Sequence, residues 1–103
     1  MPSLYIAEYE QISNTTVGNV LAPAAPPYAE QKLAVGAGAI LSAALNVRCR
    51  FVRLHSDVIC SVAFSRDPAV DPTATTSSQR LAANQTEYFG TVPGTKISVI
   101  ANT

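Results

Sequence analysis

The stretch that most constrains this chain covers residues 48–65, where apolar side chains alternate with polar or small ones on both sides of a short polar segment. Alternation with a period of two is the pattern of β-strands that bury one face. We therefore predict strands at residues 47–54 and 58–65, folded into a hairpin on a tight turn at residues 55–57. This stretch also holds both cysteines, the only histidine and three of the seven basic residues, so any chemical site would be expected to draw on it.

Other segments carry the aromatic and β-branched residues typical of strands, at residues 4–12, 85–92 and 96–101. Residues 30–45 are open to two interpretations, because their apolar residues also recur at helical spacing. Gly36 and Gly38 would each cost a helix about 1 kcal/mol relative to alanine. We therefore favour two strands on either side of these glycines, at residues 31–35 and 39–45.

The length and composition limit the class of protein to which this chain can belong. A chain of 103 residues predicts one domain, spanning residues 1–103, and an apolar fraction of 48% is typical of a globular protein. The fold class predicted from these strands is an all-β, single-domain antiparallel β-sandwich. Only 14% of the residues are charged, against about 25% in an average globular protein, which favours a surface partly covered by other protein.

Charge and hydropathy also exclude some partners. The seven basic and seven acidic residues cancel, so we expect no attraction to nucleic acid or to an anionic membrane. The first residues lack the pattern of a signal peptide, and the longest apolar stretch is too short and too interrupted to span a bilayer. We expect a soluble protein made in a cytoplasm.

Two segments outside the strands are candidate contact elements. Residues 13–29 are proline-rich and predict an extended N-terminal arm, or a connector that wraps the domain, close to polyproline II. Residues 66–80 predict a long surface loop, of the kind that often contacts a partner. The residues we expect to contact a neighbouring subunit or another protein partner are Pro23, Pro26, Pro27, Tyr28, Asp67, Asp71, Thr73 and Thr75.

The reactive side chains do not form a recognisable catalytic pattern. His55 is the only histidine, and we interpret it as a partly exposed residue of the predicted turn. Cys49 and Cys60 would lie several residues apart along the predicted hairpin, too far for a disulfide, so we predict two buried free thiols. We predict no catalytic, cofactor-binding or metal-binding residues.

One acidic residue has a predicted structural partner. Glu87 lies beside two aromatic residues in the predicted strand at residues 85–92. We expect its carboxylate to pair with Arg50 or Arg53 of the predicted hairpin.

Four segments carry a resemblance to a known group of proteins: FVRLHSDVICSVAF at residues 51–64, DPTAT at 71–75, LAANQTEYFG at 81–90 and GTKISVIA at 94–101. They resemble segments of small proteins encoded among the virion genes of tailed bacteriophages, which are similar to capsid decoration or cement proteins. The resemblance covers roughly the C-terminal half of the chain. Such proteins are β-sandwich or jelly-roll domains on the outside of the capsid.

The resemblance implies a non-enzymatic, jelly-roll-like virion protein that binds the outer capsid surface and stabilises the shell. Its implied partners are the major capsid protein and copies of itself, as a homodimer or homotrimer. An alternative is a structural protein of the tail, the head–tail junction or the fibre base. A carbohydrate-binding β-sandwich module or small jelly-roll enzyme ranks behind these, because it would need an exposed aromatic platform or a metal cluster, and the chain has no tryptophan.

Overall fold

The computed structural model describes residues 2–10, 12–15, 18–23, 27–65, 67 and 69–102. All regular secondary structure in this part of the chain is β, which confirms the predicted all-β class and makes the helical interpretation of residues 30–45 wrong. The strands are β1 Ser3–Tyr9, β2 Ile12–Thr15, β3 Gly18–Pro23, β4 Ala29–Ala34, β5 Ile40–Leu41, β6 Phe51–Ser56, β7 Cys60–Ser65, β8 Gln79–Leu81, β9 Gln85–Gly90 and β10 Lys96–Ala101.

Two antiparallel sheets of four strands each form the body of the molecule. The strand order is β4-β1-β6-β9 in one sheet, here called the front sheet, and β5-β10-β7-β8 in the other, the back sheet. A two-stranded hairpin, β2-β3, is inserted between β1 and its antiparallel neighbour β4. The predicted β-sandwich architecture is therefore confirmed.

Alternate residues of each sheet face the other sheet and form one core. On β6 this alternation buries Val52, Leu54 and Ser56 completely. The largest fully buried side chains come from both sheets: Leu4, Ile6, Val52 and Leu54 from the front, and Val62, Leu81, Ile97 and Val99 from the back. Burial of each of these aliphatic side chains contributes roughly 1.5–3 kcal/mol, so the core is the main source of stability.

The predicted hairpin at residues 47–65 is wrong. β6 pairs with β1 and β9 in the front sheet, whereas β7 pairs with β10 and β8 in the back sheet. The chain crosses between the sheets at residues 57–59, just after Ser56, whose hydroxyl hydrogen-bonds to both the carbonyl and the N–H of Val58. A hairpin would place both apolar faces on one sheet, but the crossing lets them bury each other across the core.

The same type of crossing separates β4 from β5. The predicted strand at residues 31–35 corresponds to β4, but the predicted strand at 39–45 is reduced to Ile40–Leu41, in the back sheet. Beyond it the backbone leaves the ladder and follows the end of β10, with Ser42 N–H donating to the Ile97 carbonyl and Leu45 N–H to the Thr95 carbonyl. Leu45 closes this end of the core with 2% of its surface exposed.

The proline-rich segment differs from the predicted single extended arm. Residues 12–15 and 18–23 pair as a hairpin, in which Pro23 lies opposite Ile12 and Gly18 opposite Thr15. Pro23 ends its strand, a position where a missing N–H is tolerated. Pro26 lies outside the described residues.

The described part of the predicted loop at residues 66–80, residues 67 and 69–80, lies over the outer face of the back sheet, and its last two residues belong to β8. Ala74 N–H donates to the Ser98 hydroxyl at 3.0 Å, and Ala74 retains only 2% exposure. Asp71 forms an ion pair with Lys96 of β10 at 2.7 Å, and the Asn102 amide donates to the Thr76 carbonyl. The loop therefore covers the outer surface of its own sheet.

Candidate functional site

The outer face of the front sheet is rich in aromatic side chains. The residues of β1, β6 and β9 that alternate with the core residues point outward, and they include four of the seven aromatic residues of the chain and its histidine. We call this surface the aromatic face; its rings are Tyr5, Tyr9, Phe51, Tyr88 and His55. Tyr5 and Tyr88 are 39% and 51% exposed, so this concentration of rings lies in contact with solvent instead of in the core.

One row of side chains crosses the whole aromatic face. The strand register places Lys32 opposite Tyr5, Tyr5 opposite His55, and His55 opposite Thr86. The Lys32 ammonium lies 5.4 Å from the centre of the Tyr5 ring, which in turn lies 6.4 Å from the His55 ring. His55 Nδ1 and the Thr86 hydroxyl are hydrogen-bonded at 2.8 Å. These contacts hold the rings in position before any partner binds.

A second contact lies at the other end of the same face. The rings of Tyr9 and Phe51 stack, with centroids 5.4 Å apart and planes inclined by 14°. Between Tyr5 and Tyr9, β1 places the small side chain of Ala7. The result is a shallow depression between two tyrosines.

Opposite charges flank this depression. Ala7 is paired with Glu30 on one side and with Arg53 on the other. The ion pairs formed by the described residues are Arg48–Glu10 and Lys96–Asp71, so the partly buried Arg53 guanidinium has no carboxylate partner there. Arginine and tyrosine are the residues that most often dominate binding interfaces.

The aromatic face and the outer face of the back sheet differ in accessibility. The chain covers the back sheet itself, where Ser61 and Ser98 are buried beside the 67–78 loop. The front sheet has no comparable cover among the described residues, since Tyr5, Lys32 and Tyr88 are all exposed. The aromatic face is therefore the sheet surface open to a partner.

A cleft opens between the two sheets at the edge formed by β8 and β9. Its volume is about 440 Å³, and its lining includes Arg50, Phe64, Gln79, Phe89, Val92 and Thr95. The rings of Phe64 and Phe89 form its apolar floor, with centroids 5.0 Å apart and planes at 50°. It is a separate surface from the aromatic face, because its residues point to the inner side of the sheets.

The predicted pairing of Glu87 with Arg50 or Arg53 does not form among the described residues; Glu87 instead accepts a hydrogen bond from the Gln85 amide at 2.7 Å. The register explains why. Glu87 lies opposite Leu54 and shares its inner face, whereas Arg53 points to the outer face. Arg50 lies opposite Thr91, about 13 Å along the strand from Glu87.

The predicted contact residues lie on two sides of the molecule. Tyr28 is exposed, and its N–H donates to the Glu8 carbonyl at the end of β1, so it borders the front sheet. Pro27 is partly buried beside it. The side chains of Asp67, Asp71, Thr73 and Thr75 are exposed on the loop over the back sheet.

The two cysteines are buried free thiols, as predicted. Cys49 precedes β6 and approaches the Thr91 hydroxyl at 3.6 Å, whereas Cys60 opens β7 and donates to the Ser56 hydroxyl at 3.3 Å. Burial is the main cause that raises the pKa of both thiols above the usual 9.0. The hairpin register used to predict their separation was wrong; they are apart because they lie beyond opposite ends of β6.

Two further positions differ from the sequence analysis. His55 lies within β6 and not in a turn, so its side chain belongs to the aromatic face. Glu8, which the sequence analysis did not single out, is 2% exposed, and its carboxylate accepts hydrogen bonds from Asn46 N–H at 2.6 Å and the Gln31 amide at 3.2 Å. The available signal was its position two residues after Ile6 on the buried side of β1.

Within the described residues, no three His, Cys, Asp or Glu side chains group so that they could hold a metal ion. That part of the chain also contains no helix long and apolar enough to cross a membrane. No protein-family model, curated protein or solved structure matches this chain.

Proposed function

We propose that this chain is a non-enzymatic structural protein of a bacteriophage particle, which binds the outer capsid surface as a decoration or cement protein through its aromatic face. The observation that carries the proposal is the difference between the two sheets. One outer face is covered by the chain's own loop, and the other presents exposed Tyr5 and Tyr88 beside Arg53, which has no ion pair among the described residues. Aromatic residues and arginine are enriched in the centres of protein interfaces.

The size of this face favours binding in many copies. Four strands about 4.8 Å apart and six residues long at about 3.4 Å per residue make a surface of roughly 400 Å². A stable interface buries about 800 Å² on each partner, so one face alone would bind weakly. Repeated contacts on a shell add by avidity, and assembly into a homodimer or homotrimer would multiply them again.

The connectivity supports a jelly-roll-like version of the sandwich. From β4 to β10 the chain winds between the two sheets, and β1 fills the place between β4 and β6 where the final strand of a jelly roll would lie. We propose that the domain is a jelly roll in which this strand is supplied by the start of the chain. Jelly rolls are a common architecture of capsid domains.

The first experiment measures capsid binding. Particles of the phage that encodes the chain, stripped of it, are incubated with wild-type protein and with the double variant Tyr5→Ser/Tyr88→Ser, and bound protein is measured by sedimentation. The control is Val70→Ser, which removes an exposed apolar side chain on the covered side of the molecule. We expect the double variant to lose binding and the control to keep it; equal binding by all three would refute the role of the aromatic face.

Copy number distinguishes the positions in the virion. A decoration protein occurs in proportion to the capsid subunits, whereas a head–tail junction, tail or fibre-base protein occurs in the copy number of a single ring. Quantitative mass spectrometry of intact particles measures this ratio. A ring-like copy number would replace the decoration role with the junction or tail role, and absence from the particle would reject both.

A second candidate function is carbohydrate binding, favoured by the depression at Ala7. Two tyrosines flank it along β1, and Glu30 and Arg53 lie on either side of it. Aromatic rings with adjacent polar groups can stack on a sugar and bind its hydroxyls. An NMR titration with neutral oligosaccharides tests this: shifts confined to Tyr5, Ala7 and Tyr9, without capsid binding, would favour the carbohydrate module.

A further inference from the structure

The cleft at the β8–β9 edge contains an arginine next to the start of β6. Arg50 N–H donates to the Tyr9 carbonyl at 2.9 Å, and the Arg50 carbonyl accepts from Thr91 N–H at 2.9 Å, so the Arg50 backbone is held between β1 and β9. Arg50 lines the cleft together with Phe64 and Phe89.

The charge of this cleft is unbalanced. Among the described residues that line it, only Arg50 is charged. Its guanidinium has no ion pair within the described part of the chain. Glu10 is close enough to interact with Arg50 over a distance, but its two carboxylate oxygens are held by Arg48 at 3.1 and 2.7 Å. The cleft is thus complementary to an anion.

The rest of the lining is apolar and aromatic. Phe64 and Phe89 form the floor, and Val92, which is 42% exposed, lies at the rim. The Thr95 hydroxyl donates to the Val92 carbonyl, which leaves the exposed Gln79 amide as a polar group available to a ligand. A volume of about 440 Å³ falls within the range of small-ligand sites and suits a molecule with one ring.

We propose that this cleft binds a small aromatic monocarboxylate. Its ring packs on Phe64 and Phe89, and its carboxylate accepts hydrogen bonds from the Arg50 guanidinium, for which a two-pronged contact is the favoured geometry. The site is separate from the aromatic face, because none of the rings of that face is among the described residues that line the cleft.

The test is an NMR titration of the whole chain with 3-phenylpropionate. We expect amide shifts concentrated at residues 79, 89–92 and 95, and a Kd of about 1 mM, because an open cleft and a ligand of this size give modest affinity. The neutral analogue 3-phenylpropanol should bind at least about tenfold more weakly. Equal affinity for acid and alcohol, or shifts that lie elsewhere, would overturn the proposal.

Variants separate the arginine from general charge effects. Arg50→Gln should weaken binding of the acid at least about tenfold but leave that of the alcohol unchanged, whereas Arg53→Gln, on the outer face of the same strand, should bind both as wild type does. Val92→Asp adds a repelling carboxylate at the exposed rim and should also weaken the acid selectively. Equal losses for Arg50→Gln and Arg53→Gln would show nonspecific attraction and refute the site.

A peptide ending in phenylalanine presents the same ring and carboxylate on a longer chain. We expect it to bind no better than 3-phenylpropionate, because the cleft has room for one ring and its carboxylate but not for a longer chain. Markedly tighter binding by the peptide would overturn this assignment in favour of a protein C-terminus.

Discussion

Replacement of Glu8 by alanine should destabilise the domain more than any change to an exposed acidic residue. Glu8 lies on the inner side of β1, where its carboxylate accepts hydrogen bonds from Asn46 N–H and from the Gln31 amide. Through these contacts it joins the front sheet to the segment that returns from β5 to β6. Glu8→Ala removes this acceptor and leaves the Asn46 N–H without its partner.

The magnitude follows from the two hydrogen bonds. Each bond to a charged group contributes about 1.5–3 kcal/mol, but the Gln31 amide also donates to the Ala43 carbonyl at 3.3 Å, so its loss is only partial. We expect Glu8→Ala to lower the free energy of unfolding by about 2–4 kcal/mol. With about 4–8 °C per kcal/mol for a domain of this size, Tm should fall by roughly 8–32 °C.

Urea unfolding followed by circular dichroism measures this loss, with linear extrapolation to water. Glu30→Ala is the matched control, because Glu30 is an exposed residue of the adjacent strand and should change the free energy of unfolding by less than about 0.5 kcal/mol. Glu8→Gln keeps one acceptor for Asn46 N–H and should fall between the two. Equal effects of Glu8→Ala and Glu30→Ala would refute the role assigned to Glu8.

Three further predictions concern the thiols, one turn and the connectivity. Burial raises the pKa of Cys49 and Cys60 above 9.0, so iodoacetamide should alkylate them at pH 8 at least about tenfold more slowly in the folded than in the urea-unfolded chain. The stability that these thiols contribute is complete below pH 9 and falls as the pH rises through the folded-state pKa. Asn84 has a φ of 59°, so Asn84→Ala should lower the free energy of unfolding by about 1 kcal/mol and Asn84→Gly by only a few tenths, measured by the same urea assay. A circular permutant opens the chain between β2 and β3 and links the end of β10 to the start of β1. It should retain the wild-type circular dichroism spectrum, because Ala101 and Pro2 hydrogen-bond to the adjacent residues Gly36 and Val35. An unfolded permutant would contradict this.

The strands themselves could be predicted, but not their partners. Alternation at residues 47–54 and 58–65 correctly indicated two strands, which the structure places at Phe51–Ser56 and Cys60–Ser65. Alternation predicts only which side chains are buried. The same pattern is expected for a hairpin in one sheet and for two strands that face each other across a core. The short polar segment at residues 55–57 favoured a hairpin, but Ser56 instead lies inside β6 and is fully buried.

The candidate surfaces depend on which strands pair and in which register, so they could not be predicted from the sequence. The rings of Tyr5, Phe51 and Tyr88 come from three strands that are distant in the chain and become neighbours only through the pairing of β1, β6 and β9. The loop that we expected to contact a partner packs on its own sheet, where Ala74 N–H donates to the Ser98 hydroxyl. That contact could not be predicted without knowing that Ser98 of β10 points to the outer face of the back sheet, beside Ala74.

Arg50 and Arg53 lie at two different surfaces. Either was expected to pair with Glu87, but Arg53 lies opposite Tyr88 on the outer face, and Arg50 lies opposite Thr91, beyond the end of β9. Arg53 therefore joins the aromatic face, while Arg50 enters the cleft beside Phe89. Since each arginine lacks an ion pair among the described residues, a single Arg→Gln change at either position should alter one surface and leave the other intact. Loss of capsid binding in Arg53→Gln together with loss of carboxylate binding in Arg50→Gln would establish the two sites independently.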